Sequence, residues 1–126
     1  MKHDEFIKHV QSVAQLDSRD EAERATRATL ETIKERIVGN EASQLAAQLP
    51  KEFREYLHGR EGEDGATFGF AEFIERVSQK EGTEATTAAM HAKAVFTVLE
   101  SAVTPGEFAD VRANFSADYE ELFPVQ

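Results

Sequence analysis

The feature that most constrains this chain is that it repeats itself. Phe6-Ile7-Lys8-His9-Val10 returns as Phe73-Ile74-Glu75-Arg76-Val77, 67 residues on. Leu30 and Ile33 return as Phe96 and Leu99, and Glu41 as Glu107, now 66 residues on, so one single-residue gap follows the first matched element. Leu45 and Leu49 then meet Val111 and Phe115, and Phe53, Tyr56 and Leu57 meet Tyr119, Leu122 and Phe123. Hydrophobic class is kept at each pair while surface residues drift. A repeat of this kind is one supersecondary unit that buries its apolar face against its copy. The 126 residues are therefore expected to form a single all-α domain. Its architecture is a compact helical bundle of two tandem, pseudo-twofold related four-helix units, at 4–57 and 71–123, with a linker at 58–70.

Local signals place the helices. The first runs from about Asp4 to Gln15, with Phe6, Val10, Val13 and Ala14 on one face. The second starts near Ser18, which with Glu21 makes a capping box. Its stripe of Ala22, Ala25, Thr29, Ile33 and Ile37 steps by three or four residues, as a helix face must. Gly39-Asn40 ends it through a left-handed backbone. A short helix carrying Ala42, Leu45, Ala46 and Leu49 follows, and Pro50 opens the fourth at its first position, with Phe53, Tyr56 and Leu57 inward. In the second half Gly82-Thr83 divides two helices, and Ala85, Ala88, Ala92, Val95, Phe96, Leu99 and Val103 form the long stripe. Thr104-Pro105-Gly106-Glu107 combines a capping hydroxyl, a first-position proline and a box-closing acid, and Ser116 caps the last helix. Nothing alternates as a strand does. The alanine stripes predict that the two long helices cross closely at the centre, near Ala92. Between the halves, Gly59, Gly62 and Gly65 mark a loop that Phe68 and Phe70 pin to the core. A plain linker is the simple reading of it, and a recognition loop the functional one.

Charge excludes several functions. With 24 acidic residues against 14 basic ones the net charge is −10, which repels phosphate backbones and anionic membranes. Glu23-Arg24, Glu35-Arg36 and Glu52-Phe53-Arg54-Glu55 interleave the signs, as on solvated helix faces laced with ion pairs. A nucleic-acid face would have to gather Arg19, Arg24, Arg27 and Arg36, and Glu23, Glu31 and Glu35 interrupt it. The lack of cysteine removes disulfides, zinc ribbons and thiol chemistry, and fits a reducing compartment. The start, Met1-Lys2-His3-Asp4-Glu5, lacks the basic-then-apolar order of a signal peptide, and no run approaches the roughly 20 apolar residues of a membrane span. A cytoplasmic protein is expected.

Candidate chemistry is thin. Glu5 and His9 share a helix face at the four-residue spacing of metal ligands, but no second pair accompanies them. His3 and His58 read as surface residues, and His91 as a helix-flank histidine beside the apolar stripe. Glu41 and Glu107 would be placed symmetrically by the repeat, as paired carboxylates for acid–base work or divalent ions. Each also falls in a first helical turn, where capping and the dipole account for an acid, and capping is the preferred reading. Thr83-Glu84-Ala85-Thr86-Thr87 has no base partner, and the three loop glycines lie in an acidic stretch, wrong for a phosphate cradle. The aromatic sets at 53–57 and 119–123 have core spacing. No residue is assigned as catalytic, cofactor-binding or metal-ligating, and no cofactor is expected.

Glu41-Ala42-Ser43-Gln44-Leu45-Ala46-Ala47-Gln48-Leu49-Pro50 and Gly106-Glu107-Phe108-Ala109-Asp110-Val111-Arg112-Ala113-Asn114-Phe115, preceded by Phe73-Ile74-Glu75-Arg76-Val77, resemble the bacterial family called domain of unknown function 2267. The resemblance runs from about Asp4 to Phe123. It implies duplicated helical halves in a prokaryotic cytosol, each third helix ending in Leu-Pro. Leu49-Pro50 keeps that ending and Phe115-Ser116 departs from it. It supplies no activity and no catalytic residues. The leading functional expectation is a noncatalytic interaction or scaffold module that self-associates or binds another protein. The alternative is a small-molecule or metal binder, with enzymatic activity open, whose site lies at the seam between the halves. A polar seam lined by His91 or by converging carboxylates would favour the second, and a packed apolar seam would remove it.

Overall fold

The apolar periodicity and the stop signals divide the chain much as they predict. In the computed structural model, which describes residues 1–124, α1 spans His3–Val13, α2 Arg19–Arg36, α3 Gly39–Gln48 and α4 Arg54–Leu57. Then come α5 at Phe70–Glu81, α6 at Ala85–Ala102 and α7 at Pro105–Arg112. A 3-10 turn at Lys51–Phe53 leads into α4, and a second at Ala117–Leu122 follows α7. Among the described residues there is no strand, and no helix is long and apolar enough to cross a membrane. The expected domain end at 126 lies outside the described residues.

The long helices α2 and α6 pack on each other, and each also packs on α1 and on α5. At one end α3 meets α7, with α4 against α2 and the Ala117–Leu122 turn against α6. One continuous core runs through both halves, from Phe6, Ile7, Leu30 and Ile33 to Phe73, Phe96 and Leu99. All five residues of the predicted α2 stripe are buried, and so is Ala92. Thr26 and Thr32 can be buried on α2 because their hydroxyls donate back to the carbonyls of Ala22 and Ala28, at 2.8 Å each. On the second half Phe73, Phe96, Phe115, Tyr119 and Phe123 form an aromatic cluster packed mostly edge-to-face, the arrangement favoured by ring quadrupoles.

Several local expectations are corrected. α1 stops at Val13, which is 49% exposed, and Ile7 takes the inward place given to it. Ala85 opens α6 and is exposed. Pro50 is the extended residue before the Lys51–Phe53 turn rather than a first helical residue. The hydroxyl half of each capping box forms, with Ser18 and Thr104 accepting from the amides of Glu21 and Glu107 at 3.2 Å. Ser116 caps nothing directly; its hydroxyl donates to Asp118. Asp118 in turn accepts from the amide of Phe70 at 2.7 Å, and so caps α5 across 48 residues of chain.

The linker is a fastened strap. Gly39 donates to the carbonyl of Glu63 at 2.9 Å, Gly62 to Asn40 Oδ1 at 2.8 Å and Ala66 to the carbonyl of Glu35 at 3.2 Å. Gly39 is therefore not a left-handed helix end. It is the first residue of α3, and a Cβ there would lie 1.6 Å from the carbonyl oxygen of Arg60. Phe68 and Phe70 dock on the core as expected. Arg36, expected on a solvated face, is 7% exposed. Its guanidinium donates to the carbonyls of Phe68 at 2.7 Å and Asn114 at 2.9 Å, among the rings of Phe68, Phe115 and Tyr119. It ties α2 to the strap and to the second half with carbonyls and ring faces as its partners.

Candidate functional site

The turn after α1 and the turn after α5 lie on either side of one cleft of about 360 Å³. Gln15, Leu16 and Asp17 line it from the first half, and Gly82 and Thr83 from the second. Glu21 and Arg24 of α2, Glu81 at the end of α5, and Thr87 and His91 of α6 complete the wall. The lining is polar, and its size falls at the small end of ligand clefts, which run from about 300 Å³ upward.

His91 and Glu81 form a close, buried pair in that wall. His91 Nδ1 lies 2.6 Å from Glu81 Oε1, and the two side chains are only 12% and 5% exposed. Burial raises the Glu81 carboxyl above its usual range, partly offset by His91 and Arg24. Glu81 Oε2 is buried without a hydrogen-bond partner. With Glu81 ionised, Nδ1–H donates to it and Nε2 is the nitrogen left to meet a ligand, the carboxylate fixing tautomer and ring plane. Across the cleft Gln15 sits at φ 54°, the only described non-glycine residue with positive φ, where the opposite turn uses Gly82 at φ 72°. Such a residue costs about 1–2 kcal/mol relative to right-handed backbone, and strain of this sort collects at functional sites.

A second constellation lies at the meeting of α3 and α7. One carboxylate oxygen each from Glu41, Glu107 and Asp110 lies within 4.8 Å of the others. Glu107 does sit in the first turn of α7, but the Thr104 amide that would complete its capping box donates to Gln48 Oε1 at 2.8 Å, and the Glu107 side chain is buried against Glu41. Burial, then the charge of Glu41 and of Asp110, pushes its carboxyl up to about 7. Glu107 Oε2 and Glu41 Oε1 are buried without hydrogen-bond partners.

A third cluster only looks catalytic. Ser43, His58 and Glu61 converge, but Ser43 Oγ at 3.3 Å and Glu61 Oε1 at 2.8 Å approach the same ring nitrogen of His58. A hydrolytic triad needs the base and its orienting acid on opposite nitrogens. Glu61 instead clasps the strap, accepting from Ser43 at 2.7 Å and from the Gly59 amide at 3.1 Å. These bonds, Ser43 first, hold its carboxyl down at about 2. The remaining candidates from the sequence do not converge. Glu5 accepts from the Lys2 amide, His9 is exposed, and His3 stands against Phe53 with ring centroids 5.0 Å apart. Glu41 and Glu107 were singled out in the sequence by their matched places, whereas Glu81 and Gln15 carried no signal there.

Fold and site define a small all-helical bundle with a polar histidine–carboxylate cleft where its first and second halves meet. Within that class, the chain belongs to the family described as "Uncharacterized conserved protein (DUF2267)", whose model matches residues 3–122. No curated protein matches the chain.

Proposed function

We propose that this protein is a small-molecule-binding module of the cytoplasm, with its site in the cleft between the α1–α2 and α5–α6 turns. The observation that carries the reading is the buried His91–Glu81 pair in a polar wall, opposite a strained Gln15. Asp17 and Glu21 offer carboxylates to an amine, and Arg24 offers a guanidinium to an acid group. The ligand class is a small zwitterion.

The same reading takes the cleft as the product of duplication. Gln11 Nε2 donates to the carbonyl of Leu16 at 3.4 Å, and 67 residues on Ser78 Oγ donates to the carbonyl of Thr83. α1 packs on α6 as α5 packs on α2, while α2 meets α6 and α3 meets α7, the pairing a twofold axis generates. The scaffold reading has less support. Among the described residues the large exposed hydrophobics are Met1, Val13, Val38 and Met90, on four different segments, whereas interfaces use contiguous apolar patches.

The test is a thermal-shift screen of free amino acids and short amines against the wild type and His91→Gln. A ligand that raises the wild-type Tm and leaves the variant unmoved is expected. Equal responses in both, or none in either, reject the reading.

A further inference from the structure

The carboxylates between α3 and α7 stand apart from the cleft and form a site of their own. Glu41 comes from the first half and Glu107 and Asp110 from the second, and their nearest oxygens lie within 4.8 Å of one another. Three oxygens so spaced lie no more than about 2.8 Å from a common point, so a cation that binds oxygen at about 2.3–2.6 Å needs only a small inward shift of the carboxylates, while one that demands about 2.1 Å needs a larger one. Glu107 is 8% exposed, and its Oε2 is buried with no donor. Glu41 adds a second buried oxygen in the same condition. A buried anionic oxygen is normally matched by a donor, a counter-ion or a metal. Here the charges acting on Glu107 come from Glu41 and Asp110, and neither is cationic. One shared proton can serve the two glutamates, but it leaves Asp110 unused. Asp110 is exposed, so the cluster opens to solvent on one side, from which water could fill the remaining positions of a coordination shell. All-oxygen donors without imidazole or thiolate select a hard cation.

We propose that Glu41, Glu107 and Asp110 bind one divalent cation of calcium's size, which clamps α3 of the first half to α7 of the second. The proposal is independent of the cleft.

The experiment is calorimetric titration of the full chain with calcium chloride in chelator-stripped buffer at pH 8, repeated with magnesium chloride. One calcium per chain is expected, with a Kd of about 0.1–1 mM, the range of weak calcium modules. Glu107→Gln keeps the side-chain volume and should weaken binding at least about tenfold. Asp110→Asn, at an exposed position, repeats the test without touching the core, with the same loss expected. No calcium heat in the wild type overturns the site, and so does calcium binding undiminished in both variants. Magnesium bound as tightly as calcium overturns the size assignment.

Discussion

Gly39→Ala sets two effects of opposite sign against each other. Helix propensity alone favours alanine at the start of α3 by up to about 1 kcal/mol. Against that, the new Cβ would stand 1.6 Å from the carbonyl oxygen and 2.4 Å from the carbonyl carbon of Arg60, both backbone atoms of the strap. Neither can yield by a rotamer change, so the strap must lift. Lifting strains the bonds Gly39–Glu63, Gly62–Asn40 and Ala66–Glu35. At about 1 kcal/mol for each of two or three bonds, the loss exceeds the propensity gain, leaving a net destabilisation of about 2 kcal/mol. For a chain of this size that lowers Tm by roughly 5–10 °C. Urea unfolding of the wild type and the variant measures it, with Gly106→Ala as control. Gly106 lies in α7, and a Cβ added there would meet nothing within 4 Å, so alanine should stabilise by up to about 1 kcal/mol. If Gly39→Ala is as stable as the wild type, the close approach of the strap is wrong.

Arg36→Met removes two charge-assisted bonds to carbonyls and three ring contacts, and should cost about 2–4 kcal/mol in urea unfolding. Glu107 has a folded pKa of about 7 against 4.5 for the free group, so its contribution to stability is fully present below pH 4.5 and lost as pH rises through 7. In chelator, the wild type should therefore lose about 3 kcal/mol between pH 4.5 and pH 8.5 through this group. Glu107→Gln, which mimics the protonated form, should flatten that slope; parallel pH profiles would reject the buried pair. Gln15→Gly relieves a left-handed side chain and should stabilise the fold by about 1 kcal/mol while weakening any ligand held in the cleft.

What the sequence made legible was whatever depends on near neighbours. The α2 stripe from Ala22 to Ile37 is a helix period and its burial follows; Ser18 and Thr104 reach donors three residues away. The misses involve partners far along the chain. Arg36 meets the carbonyl of Asn114 across 78 residues, and a flanking glutamate gave it the look of a surface ion pair. Asp118 caps α5 from the far end of the chain. Gly39 looked like a turn glycine because sequence records the missing side chain but not the carbonyl that needs its space. The sequence match paired Glu41 with Glu107, yet which way a first-turn acid faces depends on the helix beside it, and here α7 faces α3. His91 was legible as a flank histidine and as a candidate for the seam, but not as half of a buried pair, because its partner Glu81 ends a different helix.

Ligand binding in the cleft beside His91 is tested most directly by nitrogen-15 NMR of the His91 ring. Titrating the protein with small zwitterions should leave the Nδ1 resonance, held by Glu81, nearly still. The Nε2 resonance and the amides of Gln15, Thr83 and Thr87 should move saturably. If none of these resonances moves with any zwitterion while the ring pair stays intact, the cleft is only a surface depression and the binding account is contradicted.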